Sequence, residues 1–280
     1  MGIPYANVRK LRVGNLKLEI YPDPAAAAAA AATYVADTLR SLSKEASDIG
    51  VIFATGVSQL LTLRVLTQLP GLPWSQIRGF HLDEYVGLPV SHPASFRYYL
   101  QKNLTSCVQM KEFSEIDGTA SDLDQVCIDY GNRLRSSNPQ LCLLGVGENG
   151  HLAFNDPGEA DFDDARDVKV VTLDKVCRQQ QMAEGWFKSI GEVPRRALTL
   201  TIPPILRVPR LIVSVPGPRK ARIVKEMLES PISTACPATI LRSHPDATVY
   251  LDEESASELN GMSTLGRESI PAKEKLRAAN

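Results

Sequence analysis

The sequence lacks a surplus of charge of either sign. Lysine and arginine together number 31, aspartate and glutamate 32, and the formal net charge is −1. Polyanions are attracted by a strong positive field, which a chain so close to neutrality does not provide. Nucleic acid is therefore not an expected partner.

The sequence also lacks paired cysteines and long apolar segments. Its five cysteines are far apart and form no CxxC motif, so the usual zinc and redox signatures are missing. The alanine run at residues 25–32 has no basic leader and no bulky apolar core, which argues against a signal peptide. No segment is long enough to span a bilayer. We expect a reducing, cytoplasmic location and no membrane partner.

Neither a Pro/Ser-rich linker nor an internal repeat divides the 280 residues. The hydrophobic content of 44% is sufficient for one continuous core. We predict a single domain over residues 1–262, followed by a charged C-terminal tail at residues 263–280.

Short apolar runs alternate with helical patterns along the chain. Asp23 and Pro24 are typical of a helix start, and the following alanines lead into apolar residues at helical spacing. Another helix is predicted to follow residue 58, and others at 94–104, 123–135 and 219–228. Strands are predicted at 51–53, 77–82, 141–146, 168–173, 197–202, 211–215 and 248–251. The alternation predicts a Rossmann-like α/β fold whose mostly parallel sheet is covered by helices on both faces.

In such sheets, ligands bind beyond the carboxyl ends of the strands, and three polar clusters follow predicted strands directly. The first cluster consists of Thr55, Gly56, Val57 and Ser58. A glycine at a strand-to-helix turn lets backbone N–H groups point at an anion, which favours a phosphate site. Such turns also carry Gly and Ser for geometry alone, so both interpretations stay open.

The second cluster contains the adjacent carboxylates of Asp83 and Glu84 at a strand end. A partly buried acid there can have a shifted pKa and act as a general base, whereas an acidic pair that merely solvates a loop is the alternative. His81 and His92 lie nearby, but their spacing matches no metal-ligand pattern. No metal site is predicted.

The third cluster is the glycine-rich stretch 145–157, which holds His151 between Asn149 and Asp156. Histidine titrates near neutral pH, and a carboxylate such as Asp156 can orient it for proton transfer. A histidine that is simply packed in a glycine-rich loop is the weaker alternative. Arg178 and Lys220 are candidate phosphate ligands, although single cations are usually only solvated.

In this order, the clusters resemble the glucosamine-6-phosphate deaminase/isomerase family. The two most specific elements are Asp-Glu-Tyr at 83–85 and Asn-Gly-His-Leu-Ala-Phe-Asn at 149–155. The resemblance extends over residues 54–56, 82–89, 92–93, 147–157, 197–199, 217–220, 244–245 and 249–252. It covers nearly the whole chain beyond about residue 15.

The resemblance implies an enzyme of amino-sugar metabolism that converts glucosamine 6-phosphate and water to fructose 6-phosphate and ammonia, without metal or cofactor. It implies that Asp83 is the base that moves the C2 proton. It also implies that His151, with Asn149 and Asp156, opens the sugar ring. The residues implied to contact the substrate or its phosphate are Thr55, Gly56, Val57, Ser58, Glu84, Gly150, Arg178 and Lys220. Family members include monomers and hexamers, so a homo-oligomer is one option.

The chain departs from the family pattern in two places. Asn149 and Asp156 stand where many members have aspartate and glutamate. Members activated by an N-acetylated sugar phosphate carry a Ser- and Arg-rich segment where this chain has the acidic stretch 158–164, so we expect no such activation. Three alternatives stay open: a 6-phosphogluconolactonase-type hydrolase, another sugar-phosphate isomerase and a non-catalytic sugar-phosphate sensor.

Overall fold

The computed structural model describes residues 8–259. Its strands are β1 (Arg9–Val13), β2 (Leu16–Tyr21), β3 (Ile49–Phe53), β4 (Ile77–His81), β5 (Asp83–Tyr85), β6 (Glu112–Phe113), β7 (Leu141–Leu144), β8 (Val168–Thr172), β9 (Arg196–Leu200), β10 (Arg210–Ser214) and β11 (Ala247–Asp252). Its helices are α1 (Pro24–Leu42), α2 (Val57–Gln68), α3 (Phe96–Leu100), α4 (Leu123–Ser137), α5 (Lys175–Ala183), α6 (Ile202–Leu206) and α7 (Ala221–Glu229). A π-helical stretch continues α3, and short 3-10 turns lie at Trp74–Gln76, Pro218–Lys220 and Pro237–Ser243.

The predicted tail at 263–280 lies outside the described residues, as do both ends of the predicted domain. The domain boundary at residue 262 therefore stays a prediction.

Eight strands form one sheet in the order β1-β2-β11-β10-β7-β3-β4-β6. Neighbouring strands in this order are parallel, except for β1 and β2, which pair as an antiparallel hairpin. The predicted α/β fold with a mostly parallel sheet is thus confirmed.

Side chains of the central strands alternate between two hydrophobic cores. In β7, Cys142 and Leu144 join the core that contains residues of α4 and α7, whereas Leu141 and Leu143 join the core that contains residues of α1 and α2. Successive residues of a strand point to opposite faces of the sheet, so each core fills one face. Helices cover both faces, as predicted.

Helix α1 begins where the sequence predicts. The Asp23 carboxylate accepts a hydrogen bond from the Ala26 amide at 2.8 Å, and Pro24 occupies the first turn. Most of the alanine run is buried, with Ala31 and Ala32 fully inaccessible. The small side chains let the helix backbone approach the sheet closely, so the run is a packing surface.

Two of the predicted strands do not join the parallel sheet. The apolar runs 168–173 and 197–202 form β8 and β9, which pair antiparallel with each other. Strand β9 also pairs antiparallel with β5, giving a separate three-stranded sheet. Apolar runs alone do not specify strand direction or partner, and this separate sheet was not predicted. Strand β9 ends at Leu200 because Pro203 and Pro204 enter the first turn of α6.

Helix α5 and the hairpin of β1 and β2 also lack a counterpart among the predicted elements. The second sheet places β5 immediately after β4, with only Leu82 between them. The chain therefore turns sharply from one sheet to the other at Asp83.

Candidate active site

A cavity of about 250 Å³ opens beyond the carboxyl ends of the parallel strands. Its wall is made by the segments that follow β3, β4, β7 and β10, together with the inner face of α5. The segments that supply most of the lining are 54–58, 82–83, 145–148, 180–181 and 216–220. The fold therefore brings parts of all three polar clusters into one space.

The turn after β3 forms an open helix N-terminus at the cavity. Gly56 has a φ of +91°, a conformation that side-chain-bearing residues rarely adopt, and it precedes α2 without a side-chain cap. Thr55, Gly56, Val57 and Ser58 all line the cavity. Backbone N–H groups and the helix dipole at such a turn favour a bound anion.

Lys220 lies across the same cavity, in the turn after β10. Its ammonium is mostly buried and donates a hydrogen bond to the Val146 carbonyl at 2.7 Å. Burial lowers the pKa of Lys220, and the nearby carboxylates of Glu184 and Glu148 act against that shift. Glu148 also pairs with the neighbouring Arg219 at 2.5 Å. Lys220 thus supplies a positive charge held by the backbone.

Asp83 is the first residue of β5 and lines the cavity. The residue is 6% exposed. Burial raises the pKa of Asp83 well above the ordinary carboxyl value, and the adjacent Glu84 raises it further. A carboxyl group with a raised pKa is a stronger base once it has lost its proton.

His151 lies at the end of a hydrogen-bond relay. Its Nδ1 is 2.9 Å from Oδ1 of Asp156, and the same oxygen accepts a hydrogen bond from Nδ2 of Asn149 at 2.9 Å. The other oxygen of Asp156 accepts a hydrogen bond from the Asp174 amide at 3.0 Å. Burial alone would raise the pKa of Asp156, but the hydrogen bonds from His151 and Asn149 outweigh it, so that the pKa is lowered.

An ionised Asp156 can only accept hydrogen bonds, so the proton of the neutral imidazole lies on Nδ1. Nε2 is then free to accept a proton from a ligand. The ring edge that carries Nε2 lies against Gly147, where the Cβ of any other residue would overlap the ring. The glycine therefore makes room for the imidazole at the cavity wall.

Three residues predicted to contact the substrate do not line the cavity. Glu84 is fully buried, and its carboxylate accepts hydrogen bonds at the start of α3. Arg178 donates from Nη2 to the carbonyls of Ile190 at 2.5 Å and Val193 at 3.0 Å. Gly150 packs against Cys236. Glu84 and Arg178 thus have hydrogen-bond partners within the protein, and the substrate contacts of all three residues stay predictions.

Helix α5 and the residue that caps its C-terminus contribute three cavity residues that the sequence did not indicate: Gln180, Gln181 and Glu184. The Gln180 side chain accepts from the Glu148 amide at 2.9 Å and donates to Glu184 at 2.8 Å. The buried face of α5 includes glutamines, so the helix has few apolar residues to mark it in the sequence. The sequence feature that could have indicated the start of α5 is Asp174. It caps the helix by accepting a hydrogen bond from the Cys177 amide.

Among the described residues, one set of side chains has mixed metal-ligand character. His151, Asp156 and Cys177 each offer a ligand atom, and these atoms lie within 4.8 Å of one another. Nitrogen, oxygen and sulfur ligands suit zinc. Both oxygens of Asp156 are already engaged by N–H donors, so the arrangement is a hydrogen-bond relay in this structure. The expectation that no metal or cofactor is needed stays a prediction.

Residues 8–259 contain no helix with the length and apolar character needed to cross a membrane.

Comparison with known proteins identifies relatives along most of the chain. The family model described as glucosamine-6-phosphate isomerases/6-phosphogluconolactonase matches residues 22–250. A glucosamine-6-phosphate deaminase of Pseudarthrobacter chlorophenolicus is 33% identical over 229 residues, which cover 80% of this chain and 86% of that protein. A glucosamine-6-phosphate deaminase of Bacillus thuringiensis (strain Al Hakam) is 36% identical over 186 residues, covering 66% of this chain and 69% of that protein.

Solved structures give the same relationship. A monomeric glucosamine-6-phosphate deaminase is 33% identical, with a TM-score of 0.80 over 86% of this chain and 99% of that one. A 6-phosphogluconolactonase of Trypanosoma brucei has a TM-score of 0.72 over 90% of this chain and 100% of that one, but at 20% identity it is similar in fold alone. The family match includes every segment that lines the cavity, and this chain belongs to the glucosamine-6-phosphate isomerase/6-phosphogluconolactonase family.

Proposed function

We propose that this chain deaminates and isomerises glucosamine 6-phosphate, producing fructose 6-phosphate and ammonia. The observation that carries the proposal is the pair of groups on one cavity: the Asp83 carboxyl, whose pKa is raised by burial, and the His151 imidazole, oriented by Asp156. The relatives that are 33% and 36% identical carry this activity in their names.

In the proposed reaction, His151 first opens the sugar ring. Unprotonated Nε2 takes the proton from the anomeric hydroxyl, the bond between C1 and the ring oxygen breaks, and the imidazolium returns the proton to that oxygen. Asp156 stabilises the transient positive charge through Nδ1. Asn149 helps to hold Asp156 in place.

Asp83 then acts on the open-chain aldehyde. Its carboxylate removes the proton from C2, O1 is protonated to give an enolamine, and Asp83 returns the first proton to C1. The amine nitrogen loses one proton as the imine forms at C2, which balances the proton gained by O1. Water adds to the imine, the bond between C2 and nitrogen breaks, and ammonia leaves with the keto sugar phosphate. The substrate's own carbonyl makes the C2 proton acidic, so a positioned carboxylate is a strong enough base to remove it.

The distal phosphate is proposed to bind at the turn formed by residues 55–58. The N-terminal amides of α2 and the ammonium of Lys220 provide complementary charge there. Fixing the phosphate orients C1 and C2 toward Asp83. A cytoplasmic location is also proposed, supported by the five free cysteines of the chain.

The first experiment compares ammonia and fructose 6-phosphate release by the native chain and by Asp83→Asn. We expect turnover by the native chain and a loss of ~10²–10⁴-fold in the variant, because a positioned base contributes that much. Asp37→Asn is the matched control, since it makes the same chemical change on the exposed face of α1.

Two other outcomes would overturn the proposal. Hydrolysis of 6-phosphogluconolactone without ammonia release would indicate the lactonase alternative, which the family description includes. Binding of glucosamine 6-phosphate without any turnover would indicate a sensor.

A further inference from the structure

The position of the Asp83 carboxylate depends on its backbone. Among residues 8–259, no hydrogen bond from a protein group holds this carboxylate. Asp83 follows a one-residue corner, where the chain leaves β4 at His81 and enters β5. Whatever fixes this corner determines where the carboxylate points.

The His81 imidazole spans the corner. Its Nε2 accepts a hydrogen bond from the Ile116 amide at 2.8 Å, so the ring proton must lie on Nδ1. Nδ1 in turn donates to the Asp83 carbonyl at 2.9 Å. Burial lowers the pKa of His81 to about 3, which keeps the ring neutral at physiological pH. A single ring therefore connects the Asp83 backbone to the segment after β6.

The ring itself is fixed on all sides. His81 is fully buried and stacks on Phe113 at a centroid distance of 6.0 Å, while Tyr130 meets it edge to face. The Tyr130 hydroxyl accepts from the His81 amide and donates to the His81 carbonyl, each at 2.8 Å. Few alternative positions are open to the imidazole, so it can hold the corner rigidly.

We propose that His81 is a positioning residue for Asp83, acting through the hydrogen bond from Nδ1 to the Asp83 carbonyl. This assignment rests on the proposed function, in which Asp83 is the base. Its role differs from that of His151, since both ring nitrogens of His81 are used by backbone groups and neither is available to a ligand. Positioning should affect the chemical step more than substrate binding.

Two substitutions at this position separate the two hydrogen bonds of the ring. In His81→Asn, the side-chain amide nitrogen can occupy the place of Nδ1 and donate to Asp83, while the bond to Ile116 is lost. In His81→Gln, the longer side chain can reach the place of Nε2 and accept from Ile116, while the bond to Asp83 is lost. Each variant loses one buried hydrogen bond, so comparable losses of stability are expected.

We expect His81→Gln to lose ~10²-fold in kcat with little change in KM, as for a displaced catalytic group. His81→Asn should keep most of kcat. Phe113→Leu is the control, because it removes the stacking partner of the imidazole and leaves both hydrogen bonds. It should lower stability without a comparable loss of kcat. Kinetics and urea unfolding are measured on all three variants.

Equal kcat losses in the two histidine variants, or losses that follow stability in all three, would overturn the assignment. Should both histidine variants fail to fold, Tyr130→Phe provides the second test, since it removes only the hydroxyl that holds the His81 backbone. Because this variant keeps both hydrogen bonds of the ring, a retained kcat at lowered stability would support positioning through the Nδ1 bond, and a large loss of kcat would overturn it. Absence of deaminase turnover in the unaltered chain would instead reject the proposed function and this assignment with it.

Discussion

Asp83 and Glu84 are adjacent in the chain, yet their carboxylates lie in different regions of the molecule. Asp83 is part of the cavity wall, and no hydrogen bond from a described residue stabilises the charge of its carboxylate. Glu84 points into the layer behind that wall, where it accepts from the Ser95 hydroxyl at 2.7 Å and the Arg97 amide at 3.0 Å. Arg97 also pairs with it at 3.4 Å.

His151 and His81 show the same division. His151 has one ring nitrogen directed to Asp156, and the other accepts no hydrogen bond from the described part of the chain, whereas both nitrogens of His81 bind backbone groups. In both pairs, the residue with an unused polar atom lines the cavity, and the residue whose polar atoms are hydrogen-bonded to the protein lies behind it. Substitutions in the wall should therefore reduce activity, and substitutions behind it should reduce stability.

The largest expected effect is in Asp83→Asn, which should gain stability while activity falls. The native Asp83 pKa is raised, so the protonated carboxyl favours the fold, and this stabilisation is lost as pH rises through the native pKa. Asparagine stays neutral. Urea unfolding should give equal stabilities below about pH 4 and an increasing advantage for the variant above it. If the variant were more stable than the native chain only at low pH, a raised pKa of Asp83 would be contradicted.

Asp156→Asn should reduce turnover by ~10²-fold or more, because an amide cannot stabilise the imidazolium of His151. The measurement is steady-state ammonia release, with Asp129→Asn on the exposed face of α4 as control. Since ring opening precedes proton removal, substrate supplied already in open-chain form should recover part of the rate. Full activity of the variant on the cyclic substrate would show that the relay is not needed.

Glu84→Gln should lower the free energy of unfolding by about 1–3 kcal/mol, because several buried donors lose a charged acceptor. Urea unfolding measures it, and Glu45→Gln at an exposed position is the reference. Among molecules that remain folded, the binding of substrate should change little, since Glu84 does not line the cavity. A variant with unchanged stability and lost binding would support the predicted substrate contact of Glu84.

The smallest effect is expected from N-acetylglucosamine 6-phosphate, which should not activate the enzyme. The acidic stretch 158–164 is folded against Lys169, whose ammonium binds the Glu159 carbonyl at 2.5 Å and Asp164 at 2.9 Å. The cation is thereby occupied by the protein. Initial rates with and without the compound test this expectation, and saturable activation would contradict it.

The sequence predicted where the cavity lies but not which side chains reach it. Polar residues directly after buried strands marked the turn at 55–58, Asp83 and His151, because strand ends meet at one edge of a parallel sheet. Periodicity did not separate Asp83 from Glu84, since both are buried and belong to a strand of three residues. Their different orientations depend on the antiparallel pairing of β5 with β9, which is specified far along the chain.

Helix α5 was not predicted because its structure also depends on contacts with residues distant in the sequence. Its buried residues are Cys177, Gln180 and Gln181, so its inner face has little apolar character. Glutamines on a buried face are stabilised by hydrogen bonds to partners distant in sequence, such as the Tyr85 hydroxyl at 2.9 Å. A pattern of apolar residues cannot reveal a face built from such contacts.

The carboxylate of Glu84 also bears on the order in which the chain folds. It closes a loop of 11 residues to Ser95 and of 13 residues to Arg97. Closing a short loop costs little conformational entropy, so this contact can form early and locally. The meeting of Asp83 with the glycine-rich loop of His151 requires a far longer loop. The contacts of Glu84 behind the cavity can therefore form before the cavity itself.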